Sequence, residues 1–178
     1  MNDSTADPLI VTARLALRPL DAGRAGDAAF ILALLNDADF IAHIADRGVR
    51  TLAQAQAWIA AGPVESYARH GFGLWLVEER ASGAAIGMCG LVRRPTLADI
   101  DIGFAFLPAW RGRGFAREAA RAVFDHARTR LGLRRLVAIV APANAASARV
   151  VEAIGLRFEG MIEHGDAGEP LRLFGWQA

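Results

Sequence analysis

The sequence predicts an α/β fold built on one twisted mixed β-sheet, and three observations carry that reading. Short apolar runs of period two alternate with stretches of helical period along the 178 residues. Residues 99–141 read as strand, helix and strand, closing on "RLVAIVA", a continuous apolar run of the kind covered on both faces. Elsewhere a hairpin around "RASG" and a final strand pair read as antiparallel neighbours. The order β-α-α-β-β-β-α-β-α-β-β implies about seven strands and about four helices. No repeat, low-complexity tract or long linker interrupts the chain, so residues 1–178 are expected to form one domain.

Each element has its own signal. "LIVTARLALRPL" (9–20) alternates well enough for a first strand, and "DAAFILALLND" (27–37) places Phe30, Ile31, Leu34 and Leu35 on one helical face. Thr51 and Gln54 make a capping box for a second helix, with Trp58 and Ile59 inward and Gly62-Pro63 as its stop. "FGLWLVEE" and "AAIGMCGLV" form a hairpin around "RASG", followed by the strand "DIDIGFAFL". Ala116, Ala119, Ala120, Val123, Phe124, Ala127 and Leu131 recur at helical spacing before Gly132, placed as a C-cap. After "RLVAIVA", a shorter helix runs from Ser147 to Ile154 and ends at Gly155. "LRFEGMIEH" and "LRLFGW" make the last strand pair.

Composition excludes several functions. Hydrophobic residues make up 53% of the chain, enough for a core, yet no apolar run reaches the ~18 residues of a membrane span. The opening "MNDSTADP" is polar and acidic, unlike a signal or transit peptide. A lone cysteine, Cys89, fits a reducing cytoplasm and allows no internal disulfide. Net charge is +1, which suggests neither a nucleic-acid groove nor an acidic-membrane surface. All 20 basic residues are arginine, so Schiff-base chemistry and a Walker-type lysine are absent. The four histidines (His43, His70, His126, His164) lack metal-ligand spacing, and no metal is expected.

The junction "PAWRGRGFAREA" (108–119) carries the chemistry. A helix start offers unpaired N–H groups and the positive end of its dipole, glycines let an anion approach the backbone, and arginines add charge. The stretch Arg111–Ala116 therefore suits a pyrophosphate. The bare pattern Arg-x-x-Gly-x-Ala is weak, since Arg80–Ala85 matches it too. Only the copy at Arg111 has a strand before it and a strong helix after it. A dinucleotide fingerprint fits less well: the third glycine position holds Arg117, and "VAPAN" offers no acid after the next strand. A purely structural turn with surface arginines is the remaining alternative.

These residues resemble the GNAT superfamily of N-acetyltransferases, in the branch that contains the ribosomal-protein N-terminal acetyltransferases. The likeness runs through "LALRPL", "GFGLWLVEE", "IGMCGL", "DIGFAFLPAWRGRGFAREA" and "RLVAIVAPANAASARVVEAIGLRFEG", the last two blocks being specific together. It implies a sheet splayed between the fourth and fifth strands, with acetyl-CoA as cosubstrate. The amides of Arg111, Gly112, Arg113, Gly114, Phe115 and Ala116 would hold its pyrophosphate, and Phe104, Ala105 and Phe106 its pantetheine arm. Asn144 would bond the same arm and Ser147 would face the sulfur; their plainer role is as loop and helix cap.

Acetyl transfer needs a neutral amine, stabilisation of the oxyanion and a proton for the departing thiolate. An α-amine titrating near 7.8 is roughly a tenth neutral at pH 7, a lysine far less, so a protein N-terminus or other weakly basic amine needs little help. A backbone N–H near Phe104 is the expected oxyanion donor. The family often uses a tyrosine as general acid, but the chain's one tyrosine, Tyr67, is far from that position, which leaves Ser147. Asp101, in "DIGF", stands where many relatives carry a carboxylate and is the expected base through a water; its alternatives are an ammonium contact or a solvated strand residue. "FIAHIADRGVRT" lies between the two N-terminal helices that wall the acceptor site in relatives, making His43, Asp46 and Arg47 substrate-side candidates, with Glu163 and His164 weaker ones. Cys89 reads as a small core residue, and Arg117 and Arg121 as solvated unless they reach the 3′-phosphate. The expected activity is direct transfer of acetyl to a primary amine, on a small molecule or a protein N-terminus, by a cytoplasmic monomer or homodimer. An inactive acyl-CoA-binding module is the alternative, and a nucleotide-dependent reductase a third.

Overall fold

The structure, a computed structural model, describes residues 9–164 and 168–178; the polar start of the chain lies outside them. One eight-stranded sheet runs in the order β1-β2-β3-β4-β5-β6-β8-β7. The added strand comes from the first segment, which is not continuous. It divides into β1 (Ile10–Val11) and β2 (Leu15–Pro19), antiparallel to each other with Ile10 opposite Leu17. Between them Thr12 N bonds Leu15 O at 2.9 Å, and Glu118 takes the Thr12 hydroxyl at 2.6 Å and the Arg14 amide at 2.9 Å. A distant carboxylate thus folds a segment whose alternation reads as straight.

The N-terminal helices also differ from expectation. α1 (Ala25–Leu35) is followed at once by α2 (Ala38–His43), six residues that are too short to show a period. Asp37 starts α2 by accepting from Phe40 N at 3.1 Å. α3 (Leu52–Ile59) opens on the expected Thr51–Gln54 capping box, but Gly62-Pro63 does not stop it. The chain continues through a π-helical turn (Ala60–Val64) into α4 (Glu65–His70) and leaves through Gly71 at φ 74°. A wide turn absorbs the N–H that Pro63 lacks and lets its ring be buried.

The hairpin β3 (Leu74–Glu79) and β4 (Ala85–Val92) continues into β5 (Asp101–Phe106). α5 (Phe115–Thr129) crosses to β6 (Arg135–Val140), ending through Gly132 at φ 66°, with Leu133 N bonding back to Ala127 O at 3.0 Å. α6 (Ala145–Ala153) begins two residues earlier than its sequence signal because Asn144 caps it. β7 (Arg157–His164) and β8 (Glu169–Gln177) complete the sheet, β8 lying between β6 and β7.

Alternation sorts the core into two layers. Leu17, Trp75, Cys89 and Ile102 pack with α5 and α6 on one face; Leu76 and Met88 pack with α1 and α3 on the other. β5 and β6, the parallel pair, share a single register pair, Asp101 opposite Val137. Beyond it the strands part. The splay expected between the fourth and fifth strands of the sequence reading is therefore present, between β5 and β6.

Candidate functional site

The fork opens on a cavity of about 540 Å³. Phe104, Ala105 and Phe106 of β5 form one wall, Asn144 and Ser147 at the start of α6 another, and Gly112, Gly114, Phe115 and Ala116 a third. Asp39, Phe40, His43 and Ile44 of the α2 region close the remaining side. α2 and Trp110, absent from the sequence reading of the site, also line it. The Asn36-Asp37 pair before Ala38 is the one local signal that could have revealed α2.

The turn between β5 and α5 is built to expose its amides. Gly112 and Gly114 have φ of 71° and 82°, the left-handed region that a side chain disfavours. Gly114 is the N-cap of α5 and offers no side chain to the helix's first amides. The acidic residue of that first turn, Glu118, is turned away to Arg14 and Thr12. Open amides, a positive helix end and a clear approach fit a diphosphate. Arg117 and Arg149, facing the same cavity from α5 and α6, add positive charge near its rim.

The arginines of the turn behave differently from one another. Arg113 does not line the cavity; its guanidinium lies 4.9 Å over Trp110 and 5.2 Å over Phe115. Arg111 does line it, but its side chain is committed to protein: Nε donates to Phe106 O at 2.8 Å, Nη1 to Asp39 at 2.5 Å, and Nη2 to Asp37. Arg121 donates to Ala153 O at 2.7 Å.

Asn144 and Ser147 are held as a pair, since Asn144 Oδ1 accepts from Ser147 N at 3.0 Å. That bond uses the serine's backbone and leaves its hydroxyl without a partner among the described residues. Tyr67 is not in the cavity. Its hydroxyl accepts from Leu20 N at 3.1 Å and donates to Leu74 O, and burial pushes its pKa up.

Asp101 stands at the fork rather than on the cavity wall. Strand alternation turns it, with Gly103 and Ala105, to the face opposite Ile102, Phe104 and Phe106. It is 2% exposed, bonded to Arg94 Nε at 2.7 Å and to Ile139 N at 3.3 Å. Burial pushes its pKa up to about 6 despite the opposing pull of Arg94. Arg94 carried no sequence signal, because an ion pair across a turn has no period.

Of the substrate-side candidates, only His43 reaches the cavity. Asp46 is turned to Arg50 at 2.6 Å and to Gly48 N at 2.9 Å, and it and Arg47 stand off the wall. His164 Nδ1 lies 3.1 Å from Thr96 Oγ1, outside the lining, and Glu163 is exposed on β7. Cys89 is fully buried in β4 opposite Phe104. Among the described residues no group of His, Cys, Asp and Glu could hold a metal, and no helix is long and apolar enough to cross a membrane.

Comparison with known proteins gives a consistent result. Residues 14–157 match the family model described as an acetyltransferase (GNAT) domain. An uncharacterized Bacillus subtilis protein, YkkB, is 30% identical over 152 residues, covering 84% of this chain and 85% of its own length. An acetyltransferase structure from Agrobacterium tumefaciens superposes with a TM-score of 0.79 at 26% identity, over 100% of this chain and 99% of that one. The ribosomal L7/L12 α-N-protein acetyltransferase RimL, solved with coenzyme A, shares the fold at a TM-score of 0.80 and 18% identity, over 96% and 98% of the two chains.

Proposed function

The chain belongs to the acetyltransferase (GNAT) domain family and is an acyltransferase, and we propose that it transfers acetyl directly from acetyl-CoA to a primary amine, a protein N-terminus or a small molecule. The observation that carries this reading is the uncapped, glycine-lined start of α5 opening into a cavity walled by Phe104–Phe106, the part of β5 beyond its pairing with β6. The bound cosubstrate supplies an activated thioester carbonyl.

The amides from Gly112 to Ala116 hold the diphosphate; that of Arg111, expected to join them, donates to Pro108 O at 3.2 Å instead. Arg117 and Arg149 face the outer, 3′-phosphate end, and Phe104 to Phe106 and Asn144 hold the arm. Past Asp101 the edge of β5 has no partner on β6, so its N–H groups near Phe104 are available to the carbonyl oxygen as it gains charge. The amine nitrogen bonds to the carbonyl carbon and the C–S bond breaks. The amine's proton passes through water to Asp101, and Ser147 gives the leaving thiolate a proton that solvent replaces as Asp101 releases its own. A carboxylate titrating near 6 is largely ionised at neutral pH yet basic enough for that task. His43, from α2, bounds the acceptor side, and Asp46 and Arg47 of the following loop reach it only if that loop moves inward. A cytoplasmic setting agrees with the single, buried thiol.

A panel of primary amines, peptide N-termini included, tests this by thiol release above the hydrolysis background and by a gain of about 42 Da in acceptor mass, one acetyl for one hydrogen. Tight uptake of coenzyme A with no acetylated product across the panel would favour a binding module instead.

A further inference from the structure

All three nitrogens of the Arg111 guanidinium are bonded to protein, through three of its five N–H groups. Nε is bonded to Phe106 O at the end of β5, and the two terminal nitrogens to Asp39 (2.5 Å) and Asp37. Asp37 is simultaneously the N-cap of α2, through Phe40 N at 3.1 Å, and its side chain is only 10% exposed. One residue of the diphosphate turn therefore ties together the end of β5 and the first turn of α2, a helix of six residues that would have little stability alone. That helix carries Phe40 and His43 and ends at Ile44, all three of which line the cavity.

Charge makes the arrangement more than a brace. Asp39 lines the cavity and Asp37 lies just behind it. Uncovered, the two carboxylates would face the several negative charges of a coenzyme A diphosphate and 3′-phosphate. With Arg111 between them, one positive charge masks both at hydrogen-bond distance.

We propose that the Arg111 side chain is a positioning residue: it clasps α2 onto the diphosphate turn and shields Asp37 and Asp39 from the cosubstrate, and it does not itself bind the diphosphate. The clasp rests on the proposed function for its ligand, but the fastening of α2 is a property of the free protein.

Three variants separate the two parts: Arg111→Gln, the pair Asp37→Asn with Asp39→Asn, and the triple combination. Asparagine at 37 retains the ability to cap α2. Titration calorimetry with coenzyme A at low salt should show Arg111→Gln weakened about tenfold, and the triple variant restored to within about threefold of wild type. A triple variant as weak as Arg111→Gln would mean that the guanidinium touches the diphosphate directly, and would overturn the shielding. Hydrogen exchange without ligand should show residues 38–44 exchanging at least tenfold faster in Arg111→Gln, with α5 and the sheet unchanged. Unchanged protection of 38–44 would overturn the clasp. If wild-type protein takes up no coenzyme A, the proposed function fails, while the exchange measurement still decides the clasp.

Discussion

Asp101 Oδ2 lies 2.7 Å from Arg94 Nε at the last residue pair before β5 leaves β6. The carboxylate's other oxygen accepts from Ile139 N, so a side chain takes the bond that a continuous parallel ladder would have made with backbone. Holding the fork and accepting a proton are compatible tasks for one group.

Their signature is in pH. The Asp101 pKa is raised from 3.8 to about 6, so the folded chain binds this proton more tightly than the unfolded chain. The stability it contributes is complete below about pH 4 and is lost as pH rises through about 6, a change of order 3 kcal/mol. Urea unfolding of wild type and Asp101→Asn at pH 4.5 and 7 should show this component only in wild type. The acidic limb of the kcat/KM profile near pH 6 should vanish in the same variant, with turnover reduced. A limb that survives in Asp101→Asn excludes it as the base.

Gly114→Ala tests the diphosphate turn. At φ 82° an added Cβ costs about 1–2 kcal/mol, and it stands at the mouth of the amides that must meet the ligand. Its effect on coenzyme A affinity should exceed its effect on melting: a loss of tenfold or more in binding, with the fold retained at 25 °C. Gly83→Ala, also at positive φ but in the β3–β4 turn, should carry a similar strain and leave binding unchanged.

Ser147→Ala separates catalysis from binding. The α6 cap runs from Asn144 to the Ser147 amide, so removing the hydroxyl leaves the cap in place. Turnover should fall about 10- to 100-fold, with coenzyme A affinity within about twofold of wild type. Equal losses in both would make Ser147 a ligand contact and leave the acid unassigned.

The fold and the glycine turn before α5 were legible because local rules govern them. The helix period from Ala116 to Leu131 has one explanation, and a glycine pair between a strand and that helix has few. The acceptor side was illegible for the opposite reason. α2 is too short for periodicity, Arg94 meets Asp101 across a turn, and Glu118 bends the chain at Thr12 from more than a hundred residues away. Pro63 read as a helix stop because a π-turn that spares it needs tertiary burial, which composition does not display. The same limit applies to Arg111. The motif offers its amide to the diphosphate, but that N–H is bonded to Pro108 O at 3.2 Å, and its side chain answers to Asp37 and Asp39, whose importance appears only once the chain is folded.

Cys89 offers a last discrimination, between direct transfer and a relay through an acyl-cysteine. It is fully buried in β4, and burial pushes its thiol pKa up, so thiolate is scarce and unreachable. Its strand neighbour, Phe104, lines the cavity, which places the sulfur near the site in register but behind the sheet's packed face. Native protein should therefore resist N-ethylmaleimide, gaining one adduct only when unfolded in guanidinium, as read by intact mass. Cys89→Ala should turn over within about twofold of wild type, because it removes a small packed group and no reacting atom. If alkylation of the folded enzyme abolished activity, or the alanine variant were inactive while still binding coenzyme A, direct transfer would be untenable.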